Sequence, residues 1–263
     1  MTELESWDGL WQNLDEVVID DLDREVWRNL AQHVCFEGRS VLELGCGRGV
    51  LSRFAAAAGA RGVTLVDSSA EALRIARGLF EGVDSVRFVH QDLLEYREEA
   101  RSDIVLSSGT VEHFEGERLR QCLRVHRDHA RERVVIVVPA APHPNTLIAK
   151  TRRFREIYGY EKPISLRQMR SLLQDVGLQP LLLRRFHPLY NITARWLTPR
   201  TGLRLLDRVL DCGARRAQGL GRLLRVHARL IPPLRRFDDR LGGLLLAVAA
   251  PQTTPNPVRS DGQ

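Results

Sequence analysis

Four residues in the run Val41-Leu-Glu-Leu-Gly-Cys-Gly-Arg-Gly49 stand where a Leu-rich strand gives way to a helix: Glu43, Gly45, Gly47 and Gly49. Glycines at such a crossing permit positive φ and let the backbone approach a ligand closely. The free N–H groups and dipole of the following helix favour negative charge, so an amino-acid carboxylate would fit there. A dinucleotide fingerprint, G-x-G-x-x-G, would place its third glycine at position 50, where this chain has Val50. Many glycine-rich turns are only tight turns, so the loop needs partners. Asp67, in Thr64-Leu-Val-Asp-Ser-Ser69, is one: an acid ending the next strand can accept both hydroxyls of a ribose. The competing account makes Asp67 and Ser68 helix N-caps and nothing more. Asp92, in Phe88-Val-His-Gln-Asp-Leu93, follows the third strand in the same way.

This G-x-G-x-G loop, preceded by an acid two residues before its first glycine, resembles motif I of the class I methyltransferases. The resemblance covers about residues 42–138 and implies S-adenosyl-L-methionine as cofactor. It places the methionine part and sugar on Glu43, Gly45, Cys46, Gly47 and Gly49, the ribose hydroxyls on Asp67 and Ser68, and the adenine on Asp92 and Leu93. Asp103-Ile-Val-Leu-Ser-Ser-Gly-Thr-Val-Glu-His-Phe114 is similar to the fourth strand and loop of small-molecule members, with Ser108 meeting the cofactor. The Pro-Pro-Tyr or Pro-Pro-Phe signature used on nucleic-acid base amines is absent, which disfavours that substrate class. The implied reaction moves a methyl group, by in-line displacement, to a hydroxyl, carboxyl or amine of a small or lipid-like molecule. RNA methylation and non-catalytic binding of the cofactor are the alternatives.

A hydroxyl acceptor would want a base near neutrality. His113 is the best placed, just past the fourth strand; His143 and His187 are weaker, and Tyr158, Tyr160 and Tyr190 are candidate pocket walls. A loop histidine can equally serve by hydrogen bonding. No metal-ligand spacing appears among the histidines or the four cysteines, and the latter lack any C-x-x-C pairing.

The elements that must carry these residues alternate. Strands are expected at 40–44, 62–66, 86–90, 103–107 and 133–138, with Pro139 ending the last, and helices near 48–59, 69–80 and 116–130. A helix over 17–34 leads in, Ser165 caps a helix that Gly177 ends, and strands follow at 178–186 and 243–249. The fold class is α/β: a seven-stranded, mostly parallel, doubly wound sheet with an N-terminal helix and a helical insertion before the last strand. The divisions are an N-terminal lead-in or lid (1–38), the Rossmann-like core (39–190), a basic insertion (191–241), the last core strand (242–250) and a disordered tail (251–263). Trp7 and Trp11, one helical turn apart, either cover a ligand or pack on the domain; packing is favoured.

Residues 1–139 hold 17 Arg against 25 Asp and Glu, a net −8, whereas residues 140–241 hold 21 Lys and Arg against 7 acids, a net +14. The second part would suit an anionic small molecule, an anionic membrane surface touched through residues 200–240, or an ordinary solvated face. Its shortage of aromatics makes RNA the least favoured partner. The acidic start and the lack of a long apolar run point to a cytoplasmic chain, with peripheral membrane contact as the variant.

Overall fold

A computed structural model describes Trp7, Trp11 and residues 19–143, 160–187 and 242–252. The expected insertion and nearly all of the expected tail lie outside these residues, as do Tyr158 and Tyr190. In chain order the elements are α1 (Asp21–Ala31), β1 (Ser40–Leu44), α2 (Val50–Ala57), β2 (Gly62–Asp67), α3 (Ala70–Leu79), β3 (Val86–His90) and β4 (Ser102–Ser108). A short 3-10 turn (Val111–His113) leads to α4 (Gly116–His129), β5 (Ala130–Ala141), β6 (Ile164–Ser165), α5 (Leu166–Asp175), β7 (Leu178–Phe186) and β8 (Leu244–Pro251).

The sheet runs β3-β2-β1-β4-β5-β8-β7, with the two-residue β6 beside β5. Strands β1 to β5 are parallel, and β8 is antiparallel to both β5 and β7. The central strands β1, β4, β5 and β8 are buried on both faces, so they carry near-continuous apolar runs and successive residues feed opposite cores. Along β5, Val134, Ile136 and Val138 enter the core that Leu123, Met169 and Leu173 of α4 and α5 close. Val135 and Val137 enter the other, with Val26 and Leu30 of α1, Leu51 of α2 and Leu73 of α3. Chain order reverses between β1 and β4, and in open α/β sheets that switch point, at the carboxyl ends of the strands, is where ligands bind.

Local signals set most boundaries. Asp20 and Asp23 form a reciprocal capping box that starts α1, and Ser165 with Gln168 does the same for α5. Gly177, at φ +77°, ends that helix. Strand β5 is longer than expected at both ends. Its start, Ala130-Arg-Glu-Arg133, carries no hydrophobic mark and is held partly by an Arg39–Glu132 ion pair of 2.6 Å. At its far end Pro139 does not stop it. The Ala140 N–H donates to the Gly243 carbonyl of the β8 side (2.8 Å), so the N–H that Pro139 lacks would face β4, which has already ended at Ser108 opposite Val137. Strand β8 begins at Leu244 and runs past the expected end at Ala249 to Pro251, which pairs with Leu178 at the start of β7.

The amino ends of β1 and β4 are joined by Asp103. Its carboxylate accepts the Ser40 N–H (2.9 Å) and Oγ–H (3.0 Å) and pairs with Arg61 (2.8 Å), which hold its pKa below the usual carboxylate value against the opposing effect of burial. A group with a depressed folded-state pKa contributes stability above its unfolded pKa and loses it as pH falls through the folded one. Asp103→Ala is therefore expected to lower unfolding free energy by about 2 kcal/mol at pH 7, measured by urea titration. The difference from the native chain should shrink below the ordinary aspartate value of 3.8; a deficit constant down to acid pH would refute an ionic origin.

Candidate functional site

The carboxyl ends of β1, β2, β3 and β4 open into one cavity of about 440 Å³, within the range of small-ligand sites. The ten residues that the sequence assigns to the cofactor, and His113, all line it.

The glycine loop is built by close approach. Gly45, Gly47 and Gly49 have φ of +65°, +51° and +70°. The Gly45 and Cys46 N–H groups donate to the Val66 carbonyl of β2, at 2.8 and 3.1 Å, which folds the loop across the tip of the neighbouring strand. A Cβ on Gly45 would stand 2.5 Å from the Thr110 methyl, and one on Gly49 the same distance from Leu65. Thr110 Oγ1 also donates to the Gly45 carbonyl (3.1 Å). Cys46 is buried, and burial first, then the charges of Asp67 and Glu43, raise its thiol pKa; it is a small filler that stays protonated.

Asp67 sets the next wall. One carboxylate oxygen accepts the Gly47 N–H (2.8 Å) and the other the Ser69 N–H (2.9 Å). The cap of α3 is Ser69, whose Oγ accepts the Ala72 N–H (3.1 Å). Ser68 therefore does not cap the helix, because β2 extends through Asp67 and shifts the cap by one position. Asp92 accepts the Leu94 N–H (2.8 Å) in a turn that fixes its carboxylate beside Leu93. Glu43 is buried and takes the Ser52 N–H from the first turn of α2 (3.2 Å). Burial, reinforced by the charges of Asp67 and Asp23, pushes its pKa up to about 8, so it is neutral at pH 7.

The opposite wall is aromatic. His113 Nδ1 lies 2.6 Å from the Tyr160 carbonyl, and its ring meets that of Trp7 edge to face, centroids 4.8 Å apart. Burial lowers the His113 pKa, against the pull of the Tyr160 and Gly109 backbone, which favours a proton. Trp11 lies against Gly47, where a Cβ would be 3.2 Å from its ring. Both tryptophans pack on the domain at this cavity and line it, with Phe114, Arg118 and Tyr160 completing this side. His143 and His187 lie elsewhere: His143 is buried outside the cavity, and His187 stands 3.0 Å from Glu25. Sequence reasoning missed Asp23, Arg48 and Thr110. Arg48, inside the glycine loop, pairs with Asp23 of α1 at 3.2 Å. Among the described residues no group of three His, Cys, Asp or Glu side chains could hold a metal ion.

A parallel sheet with a glycine loop at its switch point and acids at the tips of the next two strands defines a Rossmann-like nucleoside site. Residues 41–132 match the family model described as a methyltransferase domain. They form a methyltransferase domain of the class I, Rossmann-like kind. The chain is 32% identical over 112 residues to a probable protein arginine N-methyltransferase 3 of Oryza sativa subsp. indica, covering 42% of this chain and 17% of that protein. It is 42% identical over 79 residues to a ubiquinone biosynthesis O-methyltransferase of Aromatoleum aromaticum, covering 29% of this chain and 33% of the relative. The matched segments thus span a third or less of each relative. The structure of a DhpI–SAH complex shares the fold, with a TM-score of 0.60 at 16% identity over 96% of both chains.

Gly45→Ala is expected to be far more damaging than Gly38→Ala, whose φ is nearly the same but whose added Cβ meets nothing within 4 Å. Left-handed strain alone costs about 1–2 kcal/mol; the Thr110 clash adds to it only at Gly45. Calorimetric melting of the two variants checks this, and equal drops in Tm would show that crowding at Thr110 is unimportant.

Proposed function

We propose that the chain transfers a methyl group from S-adenosyl-L-methionine to a small, largely apolar acceptor. The observation that carries this reading is the paired Gly47 and Asp67 at the tips of β1 and β2, with Asp92 in line beyond them. The cavity's charge supports it. Asp23, Asp67 and Asp92 line it against Arg48, which is paired with Asp23, and Arg118. Such a lining disfavours a polyphosphate and suits a cofactor with a cationic centre. When bound, S-adenosylmethionine supplies a methyl group on a sulfonium, a good leaving group that needs no metal.

The residues divide the work of binding it. Glycines 45, 47 and 49 give backbone access for the amino-acid end, beside the neutral Glu43 and with Cys46 and Ser108 as small walls. Asp67 and Ser68 hold the ribose, Asp92 and Leu93 the adenine. Trp7 and Trp11, as part of an N-terminal lid, exclude water, which strengthens electrostatic contacts in the closed site. Trp7, Phe114 and Tyr160 favour a flat or apolar acceptor. Methylation of RNA and peripheral contact with an anionic membrane would both depend on the basic residues 191–241, and no described side chain favours either. Among the described residues no helix is long and apolar enough to cross a membrane.

Calorimetric titration should detect S-adenosylmethionine binding, and Asp67→Ala should weaken it by about tenfold to a hundredfold, since hydrogen bonds to a charged group are worth about 1.5–3 kcal/mol. No binding by the native chain would overturn the reading.

With a hydroxyl acceptor, His113 is the proton acceptor in this scheme. Its lowered pKa keeps the ring neutral at pH 7, so kcat/KM should be flat there and fall only as pH drops below the ordinary value of 6.5. His113→Gln should lower kcat by about 10²-fold or more and abolish that acid limb. An unchanged kcat with a raised KM would instead assign His113 to holding residue 160 in place.

A further inference from the structure

Beside the main cavity lies a second hollow of about 110 Å³, and the two share Asp23, Leu51, Ser108 and Gly109 as walls. Most of its lining is apolar: Leu22 and Val26 from α1, Val137 and Val138 from β5, and Leu244 from β8. Among the described residues no basic side chain lines it. Glu112, from the 3-10 turn after β4, also lines it, with only 2% of its surface exposed. Its Oε2 is buried and has no hydrogen-bond partner among the described residues. Buried polar atoms are nearly always paired, so an orphan of this kind calls for an explanation.

The surroundings say which partner would satisfy it. Glu161 is close enough for its charge to act on Glu112, and the Lys162 N–H donates to the Glu112 carbonyl (3.0 Å), which ties the two segments together. Asp23, a second carboxylate in the wall, has Arg48 on it at 3.2 Å; among the described residues no such cation pairs with Glu112. Burial and the neighbouring Glu161 together raise the Glu112 pKa well above the ordinary value, which favours its protonated form. Two carboxyl groups, of Asp23 and Glu112, line an apolar pocket that has no basic lining residue among those described, and the charge of a third, Glu161, reaches Glu112, so the pocket favours positive charge.

We propose that this hollow is an anchoring subsite for the methyl acceptor, and that Glu112 selects acceptors with a short apolar arm ending in a protonated amine. The proposal rests on the reading of the main cavity as the cofactor and acceptor site. The hollow has room for about four heavy atoms, counted at roughly 30 Å³ for each water-sized unit. The arm's carbons lie against Val26, Val137 and Leu244, and its ammonium donates to Glu112 Oε2, with the Ser108 hydroxyl at the mouth as a second acceptor. Glu112 releases its proton to solvent as the ammonium enters, so no bond to carbon changes. A charge-assisted hydrogen bond replaces an orphan oxygen.

The test uses the full chain saturated with S-adenosylhomocysteine, whose own affinity is measured first by calorimetry. Failure of that first step counts against the cofactor reading and is recognised before any acceptor probe is added. The probes are n-propylammonium and its neutral analogue 1-propanol, four heavy atoms each, titrated by ligand-observed NMR. The native chain should bind the ammonium about tenfold or more tightly than the alcohol. Glu112→Gln should bring the two within about twofold while leaving S-adenosylhomocysteine affinity unchanged. Val26→Phe, which fills the hollow from α1, should remove binding of both probes and keep the cofactor. Equal or tighter binding of 1-propanol to the native chain would overturn the proposal, as would a preference that survives Glu112→Gln or probe binding that survives Val26→Phe.

Discussion

The site depends on one carboxylate. Asp67 ends β2 and accepts the Gly47 N–H with one oxygen and the Ser69 N–H with the other, so a single side chain locks the β1–α2 loop to the start of α3. Those two N–H groups belong to loops that the sheet alone does not position. A parallel ladder fixes strand tips in register, here Leu44 against Val66, but leaves the chain beyond the tip free to choose its path. Gly45 and Cys46 take the first step by donating to the Val66 carbonyl, and Asp67 takes the second. The left-handed conformations of Gly45, Gly47 and Gly49 follow from that path. A side chain at Gly45 or Gly49 would run into Thr110 or Leu65.

Around this lock the protein keeps several ionisable groups uncharged. Glu43, Cys46, Glu112 and His113 all have pKa values moved by burial toward their neutral forms. Charges so close to one another in a poorly solvated pocket would repel, and Glu43 is raised in part by Asp67 and Asp23 themselves. Asp103, at the other end of the sheet with the Ser40 N–H and Arg61 on it, moves the opposite way, to a pKa below the usual carboxylate value despite its burial.

The legible parts of the sequence were those governed by short-range rules. Glycine spacing, the acid after each strand and the period-two apolar runs are local, and they located β1 to β4, the Ser165 cap and β7 closely. Ambiguity entered where two local rules competed. Ser68 and Ser69 are adjacent and either could cap α3; only the end of β2 at Asp67 decides between them. Polar residues that pair through ions, as Glu132 does with Arg39, carry no hydrophobic mark, so the start of β5 was not visible. Pro139 was read by its missing N–H without knowing which neighbour that N–H would have faced. Contacts between distant segments were beyond reach: Thr110 on Gly45 spans 65 residues, His113 on Tyr160 spans 47.

That difference in range separates the two halves of the cavity. The half formed by Gly45 to Gly49, Asp67 and Asp92 comes from successive strand tips and is tied to them by the Val66 carbonyl and the Asp67 carboxylate. The other half assembles from Trp7, the turn at Val111–His113 and Tyr160, segments that meet only when the chain is folded and that touch through a ring edge and a carbonyl. Changes in the first half act on loops tied to the strand tips through the Val66 carbonyl and Asp67, whereas changes in the second alter a wall assembled from distant segments. A fold built this way can keep one cofactor while its acceptor varies. In the reading proposed above, the choice of acceptor rests on residues such as Glu112 and Trp7, which no strand-tip pattern announces.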